Sequence, residues 1–218
     1  MGPAAILRGQ FQAFPGYRQE GVFRWDKRGP TETIGSRVGE IPRGTLTEIA
    51  GPASSGRMTF LHALLAAVCA GQEFCALIDA EDAFDPASAA AAGVRLSQVL
   101  WVRCGGNVEH ALKAADLLAQ GGGFGIVALD LAESPARITR RIPLASWFRL
   151  RRAVEHTRTA FVSIGQQIYA PSCSTLKIEL RWDRTLWRGH IPAKLLRGIG
   201  ITAQRTRNHQ VGQEQFTL

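Results

Sequence analysis

The segment Gly51-Pro52-Ala53-Ser54-Ser55-Gly56-Arg57-Met58-Thr59 constrains this chain more than any other. Thr45–Ala50 before it reads as a short apolar strand, and Met58–Ala70 after it places apolar residues at helical spacing. A Gly/Ser loop between a buried strand and a helix leaves backbone N–H groups facing outward at the helix start, a concave anion site. The same rhythm continues downstream, with strands at Phe74–Asp79, Val99–Val102 and Ile126–Asp130 and helices at Pro86–Ala92 and Val108–Ala119. These strands are apolar without polar alternation, which indicates a parallel sheet covered on both faces. The fold class is α/β, a mostly parallel sheet flanked by helices.

Beyond Glu133 the style changes. Arg137–Arg141 reads as a basic loop, Leu144–His156 as a helix exposing Arg149, Arg151 and Arg152, and Ala160–Ile164 as a further buried strand. Thr175–Trp182 alternates with Leu176, Ile178, Leu180 and Trp182 on one face, and Thr185–Ile191 offers a partner, so the sheet is expected to end in antiparallel strands at its C-terminal edge. Residues 1–36 show no sustained period and carry Phe11, Phe14, Tyr17, Phe23 and Trp25, which suits an arm lying along the core or a neighbouring subunit. The expected organisation is an arm over 1–36, a core over 37–191 and a basic tail over 192–218, loose in its last ten or so residues.

Charge is partitioned along the chain. Residues 51–133 carry 4 basic and 9 acidic side chains, whereas residues 134–207 carry 15 basic and 3 acidic ones, almost all of them Arg. Clustered Arg suits bidentate phosphate contact, so a polyanion partner is expected for that third. Cys69, Cys75, Cys104 and Cys173 are scattered, and His62, His110, His156, His190 and His209 share no ligand spacing, so no metal site is expected beyond nucleotide-bound Mg²⁺. No apolar run has the length of a membrane span and the N-terminus has no signal pattern, so the expectation is a cytoplasmic protein with free thiols and no membrane partner. Trp101 and Trp182 lie within strand patterns and are expected in the core; Trp147 and Trp187 have no such assignment.

In the G-x-x-x-x-G-K-[ST] loop, Lys reaches the outer phosphates and the next hydroxyl holds Mg²⁺. Here Arg57 and Met58 occupy those positions, and Thr59 stands one residue late. Arg keeps the charge in a longer, planar form, but a thioether is a poor partner for a hard cation. Other polar residues end strands at the edge where open α/β sheets bind ligands: Asp79-Ala80-Glu81-Asp82 with Asp85, then Asp130, then Gln166.

In this order and spacing, residues 39–184 resemble the RecA recombinase core. Ile41-Pro42-Arg43-Gly44, Thr47-Glu48-Ile49-Ala50-Gly51 and Gly51-Pro52-x-Ser54-Ser55-Gly56 are similar to that family's approach and phosphate loop, and Asp79-Ala80-Glu81 with Asp85-Pro86 resembles its catalytic segment. The resemblance implies nucleotide contacts at Gly51, Ser54, Ser55, Gly56, Arg57, Met58, Thr59, Asp130 and Gln166. It makes Glu81 the water-activating base if the site is active, Asp130 the Mg²⁺-site acid and Gln166 the γ-phosphate sensor. It also places the first DNA loop on Arg137–Pro143 and shortens the second to Ile168–Ser172. Ala53 replaces an acidic loop residue, and Ser88 stands where the family stacks an aromatic ring on adenine. A short core with an altered loop and a basic second half is, more narrowly, similar to ImuA-type proteins of bacterial SOS mutagenesis, which support translesion synthesis beside polymerases.

The expected function is therefore a RecA-like accessory protein of DNA repair and translesion synthesis. Its cofactor would be weakly bound ATP or ADP, with Mg²⁺ only alongside nucleotide and hydrolysis weak or absent. Its partners would be single-stranded DNA through Arg137, Arg140, Arg141, Arg149, Arg151 and Arg152, an error-prone or Y-family polymerase homologue, and a RecA recombinase. An active DNA-dependent ATPase and a pure protein-interaction module remain alternatives.

Overall fold

The computed structural model describes residues 32–36, 38–188, 195–207 and 210–217, so the arm before Glu32 lies outside the described residues. A hairpin opens the described chain, with β1 (Thr33–Ser36) antiparallel to β2 (Gly39–Pro42). Then β3 (Leu46–Ala50), fully buried, runs through the Gly/Ser loop into α1 (Arg57–Ala70). Next come β4 (Phe74–Asp79), α2 (Pro86–Ala91), β5 (Val99–Arg103), α3 (Val108–Gly121) and β6 (Phe124–Asp130). The chain continues through α4 (Ala136–Thr139), α5 (Leu144–Val154), β7 (Ala160–Gly165) and a final run of β8 (Leu176–Arg188), β9 (Leu195–Arg207) and β10 (Gln210–Thr217).

Eight strands form one sheet in the order β10-β9-β8-β3-β7-β6-β4-β5. The strands from β8 to β5 pair in parallel, while β8, β9 and β10 pair antiparallel. The expected α/β class therefore holds, including the antiparallel edge. Each face of the sheet packs its own apolar cluster. One joins α1, through Phe60, Leu61, Leu64 and Val68, to Ile34 and Ile41 of the hairpin; the other joins α3 to Trp147, Leu150 and Val154 of α5.

Four expectations are corrected. Thr185–Ile191 is not the partner of the strand before it: β8 continues to Arg188, and its partner is Leu195–Arg207. Register shifts at Trp182/Arg184 and Leu186/Trp187 let the long strand bend where its alternation breaks. Residues 210–217, read as a loose tail, are β10, which extends the sheet through Val211↔Thr206 and its neighbours. Trp182 is 56% exposed, beside the first register shift, and among the described residues the buried indole is Trp147 at 1%. Arg137–Arg141 is not simply a loop, since Ala136–Thr139 forms one helical turn after Pro135.

Candidate functional site

Register gathers the site at one edge. Ala50 lies beside Gly165, Asp79 beside Asp130 and Asp130 beside Ile164, so β3, β4, β6 and β7 end together. At Gly51 the turn is so tight that an added Cβ would collide with Ser55 Oγ and with the Leu180 carbonyl oxygen. The loop closes with Ser55 N–H donating to the Pro52 carbonyl at 3.2 Å, and Gly56 enters α1 with φ of 89°, a left-handed conformation favouring glycine. No side chain caps α1, and the Ser55 hydroxyl is fully buried without a hydrogen-bond partner.

Arg57, at the first position of α1, is 6% exposed. Its Nη1 donates to the Ala132 carbonyl at 3.4 Å, and its Nη2 to Glu133 Oε1 at 3.2 Å. The start of α1, just after the Gly/Ser loop, is thereby tied to the segment after β6. Gln166 Nε2 donates to the same Ala132 carbonyl at 3.1 Å, and Glu81 Oε1 accepts from Ser134 Oγ at 2.8 Å. Residues 132–134 thus bring Arg57, Gln166 and Glu81 together. Ala132, Glu133 and Ser134 were not singled out from sequence, because nothing in their composition marks them.

Asp130 is 3% exposed; Oδ1 accepts from the Ala132 N–H at 2.8 Å, and Oδ2 is buried without a partner. Burial raises its carboxyl to about 6, opposed by the Ala132 N–H bond and, more weakly, by Arg57. Asp79 is committed to structure, accepting from the N–H groups of Ala83 and Phe84 and from Trp101 Nε1. Asp85 caps α2 by accepting from Ala87 and Ser88, which holds its carboxyl below the usual range, the Ser88 hydroxyl bond contributing most. Met58 packs against the apolar core of the α1 face; Ser54 is exposed and Thr59 half-buried.

The short segment after β7 is pinned. Buried Glu48 accepts from the N–H groups of Tyr169 and Ala170 and from Ser174 Oγ, while the Tyr169 ring stacks on Trp147 with centroids 6.1 Å apart. The role of Glu48 is also hidden from the sequence, since its partners lie more than 120 positions away.

The six arginines are not equivalent. Arg137 and Arg141 are exposed on and beside α4, and Arg140 donates to Gln167 Oε1 at 3.3 Å, joining α4 to the segment after β7. On α5, Arg149 pairs with Asp116 of α3 at 2.9 Å, Arg151 is half-buried and Arg152 exposed. Among the described residues, no group of three or more His, Cys, Asp or Glu side chains could hold a metal ion. No described helix is long and apolar enough to cross a membrane.

A strand, a Gly/Ser loop and a helix at the centre of a mostly parallel sheet, with polar strand ends at the same edge, define a RecA-like α/β fold. The model of the RecA N-terminal domain matches residues 31–141, and the chain belongs to that family. It is 42% identical over 104 residues to Protein RecA of Deinococcus radiodurans, covering 48% of this chain and 28% of that protein. It is 41% identical over 99 residues to Protein RecA of Borrelia hermsii, covering 45% and 27%. Against Protein RecA of Chloroflexus aurantiacus it is 29% identical over 143 residues, covering 59% and 40%. The chain thus spans well under half the length of these relatives.

Proposed function

We propose that this chain is a RecA-like accessory protein of DNA damage tolerance that binds DNA, holds nucleotide weakly and turns over ATP slowly or not at all. The observation that carries this reading is Arg57, at the lysine position, with its guanidinium spent on the Ala132 carbonyl and Glu133. The residues present suit a phosphate, through the loop backbone and the unpartnered Ser55 hydroxyl. They do not suit Mg²⁺ held by a hydroxyl at position 58, because Met58 is packed against the core. The basic residues of α4 and α5 support a DNA contact, and single-stranded DNA is the partner we assign. The narrower role, SOS mutagenesis beside an error-prone or Y-family polymerase homologue and a RecA recombinase, is supported by the altered loop and the basic second half of the chain.

The test measures ATP turnover with Mg²⁺ and single-stranded DNA, together with nucleotide affinity before and after Arg57→Lys with Met58→Thr. Background turnover and tight binding only in the double variant are expected. Brisk DNA-stimulated turnover by the unaltered chain would overturn the reading. It would favour a DNA-dependent ATPase, supported by the convergence of Glu81 and Gln166 on residues 132–134. Under that second reading Glu81→Gln abolishes turnover. DNA affinity that is absent or indifferent to salt would instead indicate a protein-interaction module.

A further inference from the structure

We propose that Glu133 is a built-in competitor of phosphate: its carboxylate neutralises Arg57 until an anion in the Gly51–Gly56 loop replaces it, loosening residues 132–134 and the arginine-bearing α4 that follows. The inference rests on reading that loop as an anion site. A guanidinium does not deprotonate in proteins, and a buried one needs a compensating anion. Arg57 is 6% exposed, so it always requires a partner. Glu133 is placed to leave, because its side chain is 58% exposed and a released carboxylate returns to water at little cost. The partners are therefore unequal, one committed and one exchangeable.

The other groups of the loop fit an exchange. The Ser55 hydroxyl is buried without a partner, a donor that a bound phosphate oxygen would satisfy. On the far side, Leu131 is anchored in the core and by its N–H on the Ile164 carbonyl, and beyond it the side-chain contacts converge: Arg57 and Gln166 on the Ala132 carbonyl, Ser134 Oγ on Glu81, and the Ala132 N–H on Asp130. Drawing Arg57 toward the loop removes its own two ties to this segment, to the Ala132 carbonyl and to Glu133. Arg137, Arg140 and Arg141 lie four to eight positions further on, so anion binding would loosen the basic segment.

The test titrates the full chain with pyrophosphate and with ADP, by calorimetry, for the unaltered protein, Glu133→Gln, Glu133→Ala and Arg57→Ala, with circular dichroism confirming the fold of each. Removing the competitor is expected to tighten pyrophosphate binding about tenfold in both Glu133 variants. Hydrogen exchange at residues 132–141 should accelerate on adding ADP to the unaltered chain and be fast already in Glu133→Gln. If Arg57→Ala does not fold, the exchange measurement on Glu133→Gln decides alone. Equal affinity of the unaltered chain and both Glu133 variants, with unchanged exchange, would overturn the competitor role and leave the anion site standing. No binding by any of them would overturn the anion site and the competitor with it.

Discussion

With one carboxylate oxygen on the Ala132 N–H and the other buried without a partner, Asp130 ionises at about 6 rather than near the ordinary carboxylate value. Because the folded value is raised, the folded chain binds this proton more tightly than the unfolded one. The resulting stability is present in full below about pH 4 and is lost as pH rises through about 6. The span of roughly two pH units corresponds to about 2–3 kcal/mol. Asp130→Asn cannot ionise but keeps an oxygen for the Ala132 N–H. It is expected to melt above the unaltered chain at pH 8 and to lose most of that advantage near pH 4.5, as calorimetry at the two values would show. Equal melting differences at both would contradict the burial argument. Arg57 is the complementary case, a buried group that cannot shed its charge and is therefore held by pairing.

At the level of elements, α4 and α5 separate two kinds of arginine. Those on and beside α4 face solvent or the segment after β7, whereas Arg149 on α5 ties that helix to α3. Replacing Arg137, Arg140 and Arg141 together by Ala should weaken single-stranded DNA binding and flatten the dependence of log affinity on log salt by about 2, as expected for three lost phosphate contacts. Replacing Arg149 alone should change the salt slope far less and chiefly loosen α5, which a binding titration at several salt concentrations would separate. The parallel strands and the Gly/Ser loop between β3 and α1 were legible in the sequence because continuous apolar runs and Gly/Ser composition are local signals. The antiparallel edge and the first half of β8 were legible too, but the length of β8 and its pairing with Leu195–Arg207 were not, since beyond Trp182 its register shifts break the alternation that marks a strand. Of the site, Arg57, Glu81, Asp130 and Gln166 were legible as residue types. Their meeting at residues 132–134 was not, because contacts across 34, 53 and 76 positions leave no periodic trace.

Across the whole molecule, β3 leads into the Gly/Ser loop yet pairs only with strands made much later: Leu46 with Phe161 of β7, and Thr47 with Leu176 of β8. The strands β4, β5 and β6 instead pair with one another as soon as residue 130 is reached. A fragment covering residues 31–141, the span shared with the RecA N-terminal domain, therefore lacks both neighbours of β3. It is expected to show no cooperative melting transition where the full chain shows one; a sharp transition in the fragment would refute this. The order of synthesis adds a consequence in time. At roughly 5–20 residues per second, β3 leaves the ribosome on the order of ten seconds before β7 can pair with it. During that interval a five-residue strand that is fully buried in the finished fold has no partner on either side. The strand that ends in the loop is thus the last part of the parallel sheet to be completed, and the stretch of the newborn chain most in need of a chaperone's cover.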